Sequence, residues 1–268
     1  MTVDGRANLR IRGRGAAVID ASGSRTGLNI VNVNGLRVEG VTISNATYNG
    51  IYVTDSSNVT LSRCSVDNSS GAGSSSGIEV DGTQDGLTID RCTFSLWNYG
   101  VYVNSESEDP KVTISRCRIQ GATDSETITV YNRNVVITRN VIVGSSAEAP
   151  TGYGIYLSGL TASCTVSRNR VSAVGDPGIT ILGSSHTIDR NSIRDVGGLG
   201  IQVRGSGSTI SRNSVRDSGD AAFQVVTAGH TITRNKASGT TAIDLRSDVA
   251  ESENTYSKNK FRTTGFPE

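Results

Sequence analysis

Glu79 and Asp81 stand two residues apart in the alternating run Gly77-Ile-Glu-Val-Asp81, so on a strand both carboxylates leave the same face. Same-face neighbours lie ~7 Å apart, inside the ~6.5–9.5 Å over which one carboxyl donates a proton while the other activates a water. Tyrosine gathers around them: seven of the eight tyrosines fall between Tyr48 and Tyr156. Tyr52, Trp97, Tyr99, Tyr102, Tyr131 and Tyr156 offer flat apolar faces and polar tips, and Asn104 adds an amide. That mixture grips a flat, hydroxyl-rich ligand. Arg204 and Arg246 would neutralise a carboxylate on such a ligand, so a tyrosine base, Tyr102 first, offers an elimination as the alternative to hydrolysis by Glu79 and Asp81.

A repeat must position these residues. Gly178-Ile-Thr-Ile with His186-Thr-Ile-Asp-Arg-Asn191, Gly200-Ile-Gln-Val with Ser208-Thr-Ile-Ser-Arg-Asn213, and Ala222-Phe-Gln-Val with His230-Thr-Ile-Thr-Arg-Asn235 recur every 22 residues. Each unit holds short runs of period two divided by Gly, Ser, Asp or Asn, which read as strands and turns. A fixed period of this length marks a solenoid. At ~3.3 Å per residue, one unit closes a triangular turn with three short strands. The expected fold is an all-β, right-handed parallel β-helix of about ten coils, its hand set by strand twist.

The chain of 268 residues is expected to be one such domain, with 1–26 an incomplete first coil and 248–268 an irregular last coil and tail. Coil starts are expected at Gly27, Gly50, Gly77, Gly100, Thr127, Gly154, Gly178, Gly200, Ala222 and Ala242. Insertions at Asn68–Ser76, Glu106–Pro110 and Gly144–Pro150 map to loops. An apolar share of 35% with 31 glycines suits a turn-rich β chain. A net charge of +1 predicts no bulk attraction to nucleic acid or membrane. No apolar run is long enough to span a bilayer, and the N-terminus lacks a signal-peptide profile; the expectation is a cytoplasmic chain or one whose leader was removed. No helix precedes the first coil, so a partner or a missing segment is expected to cover that edge.

Stacking turns sequence positions into columns ~4.8 Å apart. Ile51, Ile78, Val101, Ile128, Ile155, Ile179, Ile201 and Phe223 form one inward column, and Leu61, Ile89, Ile114, Ile137, Val166, Ile188, Ile210 and Ile232 another. Asn140, Asn169, Asn191, Asn213, Asn235 and Asn259 form a ladder at the next bend, continued upward by Cys117, Cys92 and Cys64 as small buried groups. An arginine or lysine precedes each rung, with Asp90, Asp189, Asp195 and Asp217 near enough to separate the charges. His186 and His230 share a column with Val59 and Leu87 and are read as core-side structural residues. Cys-x-x-Cys spacing is absent, so neither metal ligands nor cofactor is expected.

Glu79 falls between Tyr52 and Tyr102 in an outward column, with Thr54, Asp81, Asn104, Tyr131, Arg204 and Arg246 in the column beside it. Partial desolvation there would raise the Glu79 pKa toward general-acid use. The Gly-Ile-x-Val and Thr-Ile-x-Arg-Asn units resemble the right-handed parallel β-helix proteins of the pectate-lyase-like superfamily over nearly the whole chain. The resemblance implies a polysaccharide or oligosaccharide bound along the first-strand face by a lyase, epimerase or hydrolase. Asp176-Pro177 is followed by Gly178-Ile179 where mannuronan epimerases have His-Glu, the polygalacturonase Gly-His-Gly is absent, and no aspartate cluster suits the calcium of pectate lyases. No catalytic residue is therefore carried over. A non-catalytic solenoid that binds glycan or protein is the alternative, and the threonine rows leave ice binding as a minor one.

Overall fold

A computed structural model describes residues 1–67, 75–95, 98–120, 126–144 and 152–267. They wind into a right-handed parallel β-solenoid of about 11 turns, triangular in section. The first face runs from Thr2–Asp4 to Leu245–Ser247 and Thr264–Gly265, the second from Arg10–Arg12 to Thr255–Ser257, the third from Val18–Asp20 to Lys236–Ser238. Asn49–Ser62 and Ser76–Asp90 pass unbroken from the first face to the second, bending at an irregularity between Thr54 and Ser56. Among the described residues the one helical turn is a 3-10 turn at Glu251–Glu253.

Period two explains the core. Ile51, Ile78, Val101, Ile128, Ile155, Ile179 and Ile201 lie directly over one another, as do Leu61, Ile89, Ile114, Ile137, Val166, Ile188 and Ile210, and all are wholly buried. Phe94, Ile119, Ile142, Val171 and Ile193 close the triangle from the third face. Glycine recurs at coil starts for want of space: a Cβ on Gly77 would stand 2.6 Å from the Gly100 carbonyl oxygen and 2.8 Å from Phe94.

The opening residues carry a strand on every face, Thr2–Asp4, Arg10–Arg12 and Val18–Asp20. The last coil departs from expectation. At the other end Leu245, not Ile243, lies opposite Phe223, so the last start falls two residues later than Ala242. The step from Phe223 to Leu245 is 22 residues, the same as from Ile201 to Phe223, so the period holds to the end. Asp244, at this start, is buried at the bend, and its carboxylate accepts from the Thr240 hydroxyl at 2.8 Å and the Arg262 N–H at 2.6 Å.

The bend after the second face is held by the asparagine ladder. From Asn169 on, each carboxamide oxygen accepts from the backbone N–H and the Nδ2 of the rung before: Asn191 Oδ1 from Asn169 N at 2.9 Å and Asn169 Nδ2 at 3.0 Å. Asn169 Nδ2 also donates to the Ile137 carbonyl at 2.9 Å. The cysteines continue this pattern, with Cys117 Sγ directed at the Ile89 carbonyl as Asn140 Nδ2 is at that of Ile114. A second ladder uses the histidines: His186 Nδ1 accepts from Cys164 N at 3.1 Å, so its Nε2 carries the proton toward Thr161 Oγ1 at 3.2 Å. His186 and His230 are buried, as their apolar column mates required.

Candidate functional site

On the first face the register places Asn29, Tyr52, Glu79, Tyr102, Thr129, Tyr156, Thr180, Gln202 and Gln224 in one outward column. Asp81 lies beside it, next to Thr54. Asn104, Tyr131 and Arg204 follow in that second column, each N–H bonded to the preceding coil. Trp97 lies outside the described residues.

Arg246 is a correction. The two-residue shift moves it into the Gln224 column and leaves Asp248 in the place expected for it. Its guanidinium forks Asp220 at 2.6 and 3.0 Å, so it is already paired. Arg204 is exposed four coils beyond Tyr102, where its charge reaches Tyr153. Neither arginine stands beside Glu79.

Arg25 does. Its guanidinium sits 4.8 Å from the ring centroid of Tyr48, and with Thr26, Asn29, Asn49, Tyr52 and Glu79 they line a hollow of about 410 Å³. A second hollow of about 220 Å³ is lined by Tyr48, Ser76, Glu79, Tyr99 and Tyr102. Glu79 and Tyr48 border both. Half-burial pushes the Glu79 pKa up and the Asp81 charge adds to this, while the Asn49 hydrogen bond and Arg25 pull the other way. Tyr52 donates its hydroxyl to Asp81 Oδ2 at 3.0 Å. Burial, then that carboxylate, push Tyr52 up to about 12; burial and its neighbours do the same for Tyr102. Such phenols are hydrogen-bond donors at neutral pH and poor bases.

Tyr99 packs edge-on against Tyr102 with centroids 5.3 Å apart, Tyr102 against Tyr131 at 5.6 Å, and Tyr153 against Tyr156 at 5.6 Å. Glu126 joins this cluster and was missed in the sequence reading. Carrying the Val101, Ile128 and Ile155 register two residues back sets it between Tyr99 and Tyr153, and its charge raises Tyr131, Tyr153 and Tyr156 after burial has done so. The signal was its position two residues before Ile128, matching Tyr99 before Val101. Arg25, Tyr48 and Asn49 were missed because their column lies at the coil start, outside the two columns followed. Orphaned polar atoms also collect on this face: Asn29 Oδ1, Asn49 Oδ1, Thr129 Oγ1 and Thr180 Oγ1 are buried with no hydrogen-bond partner among the described residues. Among the described residues no three metal-ligating side chains converge.

A solenoid of three parallel faces, with an aromatic and acidic strip along one of them, defines a β-helix protein. The family described as "Right handed beta helix region" matches residues 26–186, 76–237 and 153–266, and the chain belongs to it. No curated protein matches the chain. Among solved structures, the catalytic unit of the thermostable GH87 alpha-1,3-glucanase from Streptomyces thermodiastaticus strain HF3-3 is similar, with 15% identity and a TM-score of 0.71 over 98% of this chain and 61% of that one. A mannuronic acid specific polysaccharide family 6 lyase from human gut microbiota has 10% identity and a TM-score of 0.62 over 95% of this chain and 86% of its own. PfbA, a surface adhesin of Streptococcus pneumoniae, has 13% identity and a TM-score of 0.60 over 89% and 69%. At these identities the likeness is one of fold. The chain spans about three-fifths of the glucanase catalytic unit.

Proposed function

We propose that the chain acts on a polysaccharide laid along the first face, and that it hydrolyses a glycosidic bond with Glu79 as general acid and Asp81 as the base that activates water. The observation that carries this reading is Glu79 itself: a half-buried carboxyl with a raised pKa, bordering both hollows, with a second carboxylate two residues away on the same strand. A carboxyl whose pKa is raised, with a second carboxyl close by, is the arrangement such a reaction requires. Tyr48, Tyr99 and Tyr102 would stack on sugar rings and Asn104 would bond their hydroxyls. Elimination is the weaker reading, because the tyrosines hold their protons and Arg246 is tied to Asp220. The strip is also crowded with the carboxylates of Glu79, Asp81, Glu126 and Asp176, so a neutral glycan fits it better than a polyuronate.

The test is release of reducing ends across a panel of neutral and acidic glycans, with Glu79→Gln and Tyr102→Phe in parallel. Loss in both supports the site; unchanged turnover in both removes it. A second reading, capture without turnover, is favoured by the Tyr52 hydroxyl already seated on Asp81. Glycan binding with no product from any substrate would establish that one.

A further inference from the structure

The bend between the second and third faces carries a column of basic residues that the proposed activity does not use. Arg63, Arg91, Arg116, Arg139, Arg168, Arg190, Arg212, Arg234 and Lys258 all adopt left-handed backbone, with φ between 52° and 59°. The first eight each donate their backbone N–H to a carbonyl of the following coil, for example Arg139 N to Ser167 O at 3.0 Å, so the column is in register along the solenoid. Left-handed backbone is costly for any residue with a Cβ, and Asn or Gly meets it more cheaply. The chain places arginine there eight times.

Along this edge the protein shows how it holds a carboxylate. Asp90 Oδ1 accepts from Ser115 Oγ at 2.7 Å and Arg116 Nε at 2.6 Å, both one coil further on. Asp189 Oδ1 accepts from Ser211 Oγ at 2.7 Å and Arg212 Nε at 2.7 Å in the same geometry. Glu39 is gripped by Arg10 at 2.9 Å and Arg63 at 2.7 Å. Asp195 and Asp217, expected to serve this column, instead pair with Arg194 and Arg216 on the third face. Thus Arg139, Arg168 and Arg234, all exposed, have no carboxylate partner among the described residues, although Thr138, Ser167 and Thr233 supply hydroxyls beside them.

We propose that this arginine edge is a second binding site, at which carboxylates of an acidic polysaccharide take the place at Arg139, Arg168 and Arg234 that Asp90 and Asp189 hold at their own rungs. Guanidinium matches a planar carboxylate through paired N–H bonds. A straight edge with a cation every ~4.8 Å suits a linear chain of regularly spaced charges. The site is separate from the first-face strip and holds whether or not that strip is catalytic.

The experiment is retention of the protein by a polyuronate, with alginate oligomers as probe, in low and moderate salt. The triple variant Arg139→Asn, Arg168→Asn and Arg234→Asn suits the left-handed bend, so its fold is kept and its melting temperature is the control. Wild type is expected to bind, and the triple variant to bind about tenfold or more weakly, three exposed charge pairs having gone. Asp90→Asn with Asp189→Asn, which releases more arginines, is expected to bind more tightly, and Glu79→Gln to bind as wild type does. No binding by wild type, equal binding by the triple variant, or equal competition by a single-stranded oligonucleotide would overturn the proposal.

Discussion

Tyr52 and Asp81 are joined across neighbouring coils by a 3.0 Å hydrogen bond in which the phenol donates to Oδ2. The bond fixes the carboxylate toward the strip and occupies one of its lone pairs. Asp81→Asn is expected to lower kcat by about 10²–10⁴, the range for loss of a general base. Tyr52→Phe, which leaves the carboxylate but loosens it, is expected to cost less than about tenfold. Steady-state kinetics on the best substrate of the panel decide this: equal losses in the two variants would make Asp81 a positioning residue.

Glu79 gives the strip its pH dependence. A general acid works while protonated, so activity should fall as pH rises through the Glu79 pKa, which lies above the ordinary glutamate value because the carboxyl is buried. Arg25 favours the charged form, so Arg25→Gln should move the alkaline limb to higher pH. Asn49→Ala removes a hydrogen bond to the carboxyl and should shift it the same way. The measurement is kcat/KM against pH in wild type and both variants; a limb that stays in place in both would take the acid role from Glu79.

The solenoid and its columns were legible because period two and the 22-residue unit act together. Once Gly178, Gly200 and Ala222 are aligned, the Tyr52, Glu79 and Tyr102 stack follows by counting. Counting erred in the last coil by breaking the period: a step of 20 sets the start at Ala242, whereas the regular step of 22 leads from Ala222 to Asp244 and carries Arg246 into the Gln224 column. The places of Glu126 and Arg25 were countable too, at coil starts outside the two columns followed, but their roles were not. Their roles come from which side chains lean together across coil starts, which depends on rotamers and burial that no repeat encodes. The left-handed backbone under the arginines was equally hidden, since Arg-Asn in a sequence carries no sign of φ.

The asparagine ladder predicts where stability is concentrated. Asn191→Ala would leave the buried Asn169 N–H and Nδ2 without their acceptor and the Val166 carbonyl without its donor. Each orphaned buried group costs about 1–3 kcal/mol, so the loss should amount to several kcal/mol in urea unfolding. Cys92→Ala, which removes weak thiol contacts to the Leu61 and Asp90 carbonyls, should cost much less. Because all four cysteines are buried, with the Cys117 hydrogen bond and then burial pushing Cys92 up to about 12 and burial pushing Cys164 up to about 11, thiol reagents should label the native chain slowly and the unfolded chain at once.

His186 sets the response to acid. Its Nδ1 accepts the Cys164 N–H in the buried ladder, and burial lowers its pKa from 6.5 to about 4. The unfolded chain takes up a proton near the ordinary histidine value while the folded chain does not, so stability present above about pH 6.5 is lost progressively as pH falls toward 4. The full loss from this residue is on the order of 3 kcal/mol. His230, lowered by burial in the same ladder, acts in the same direction. Asn254 already shows the substitute: its Oδ1 accepts the His230 N–H at 2.7 Å, one coil further along the same column. His186→Asn should therefore keep the ladder and flatten the decline in urea midpoint between neutral and mildly acidic pH. A slope identical to that of wild type would mean that acid sensitivity resides elsewhere, with the carboxylates as the groups to examine: Glu39, held below its usual pKa by Arg10, Asp90, held by Arg116 and Ser115 against burial, and Asp189, held by Ser211 and Arg212 against burial.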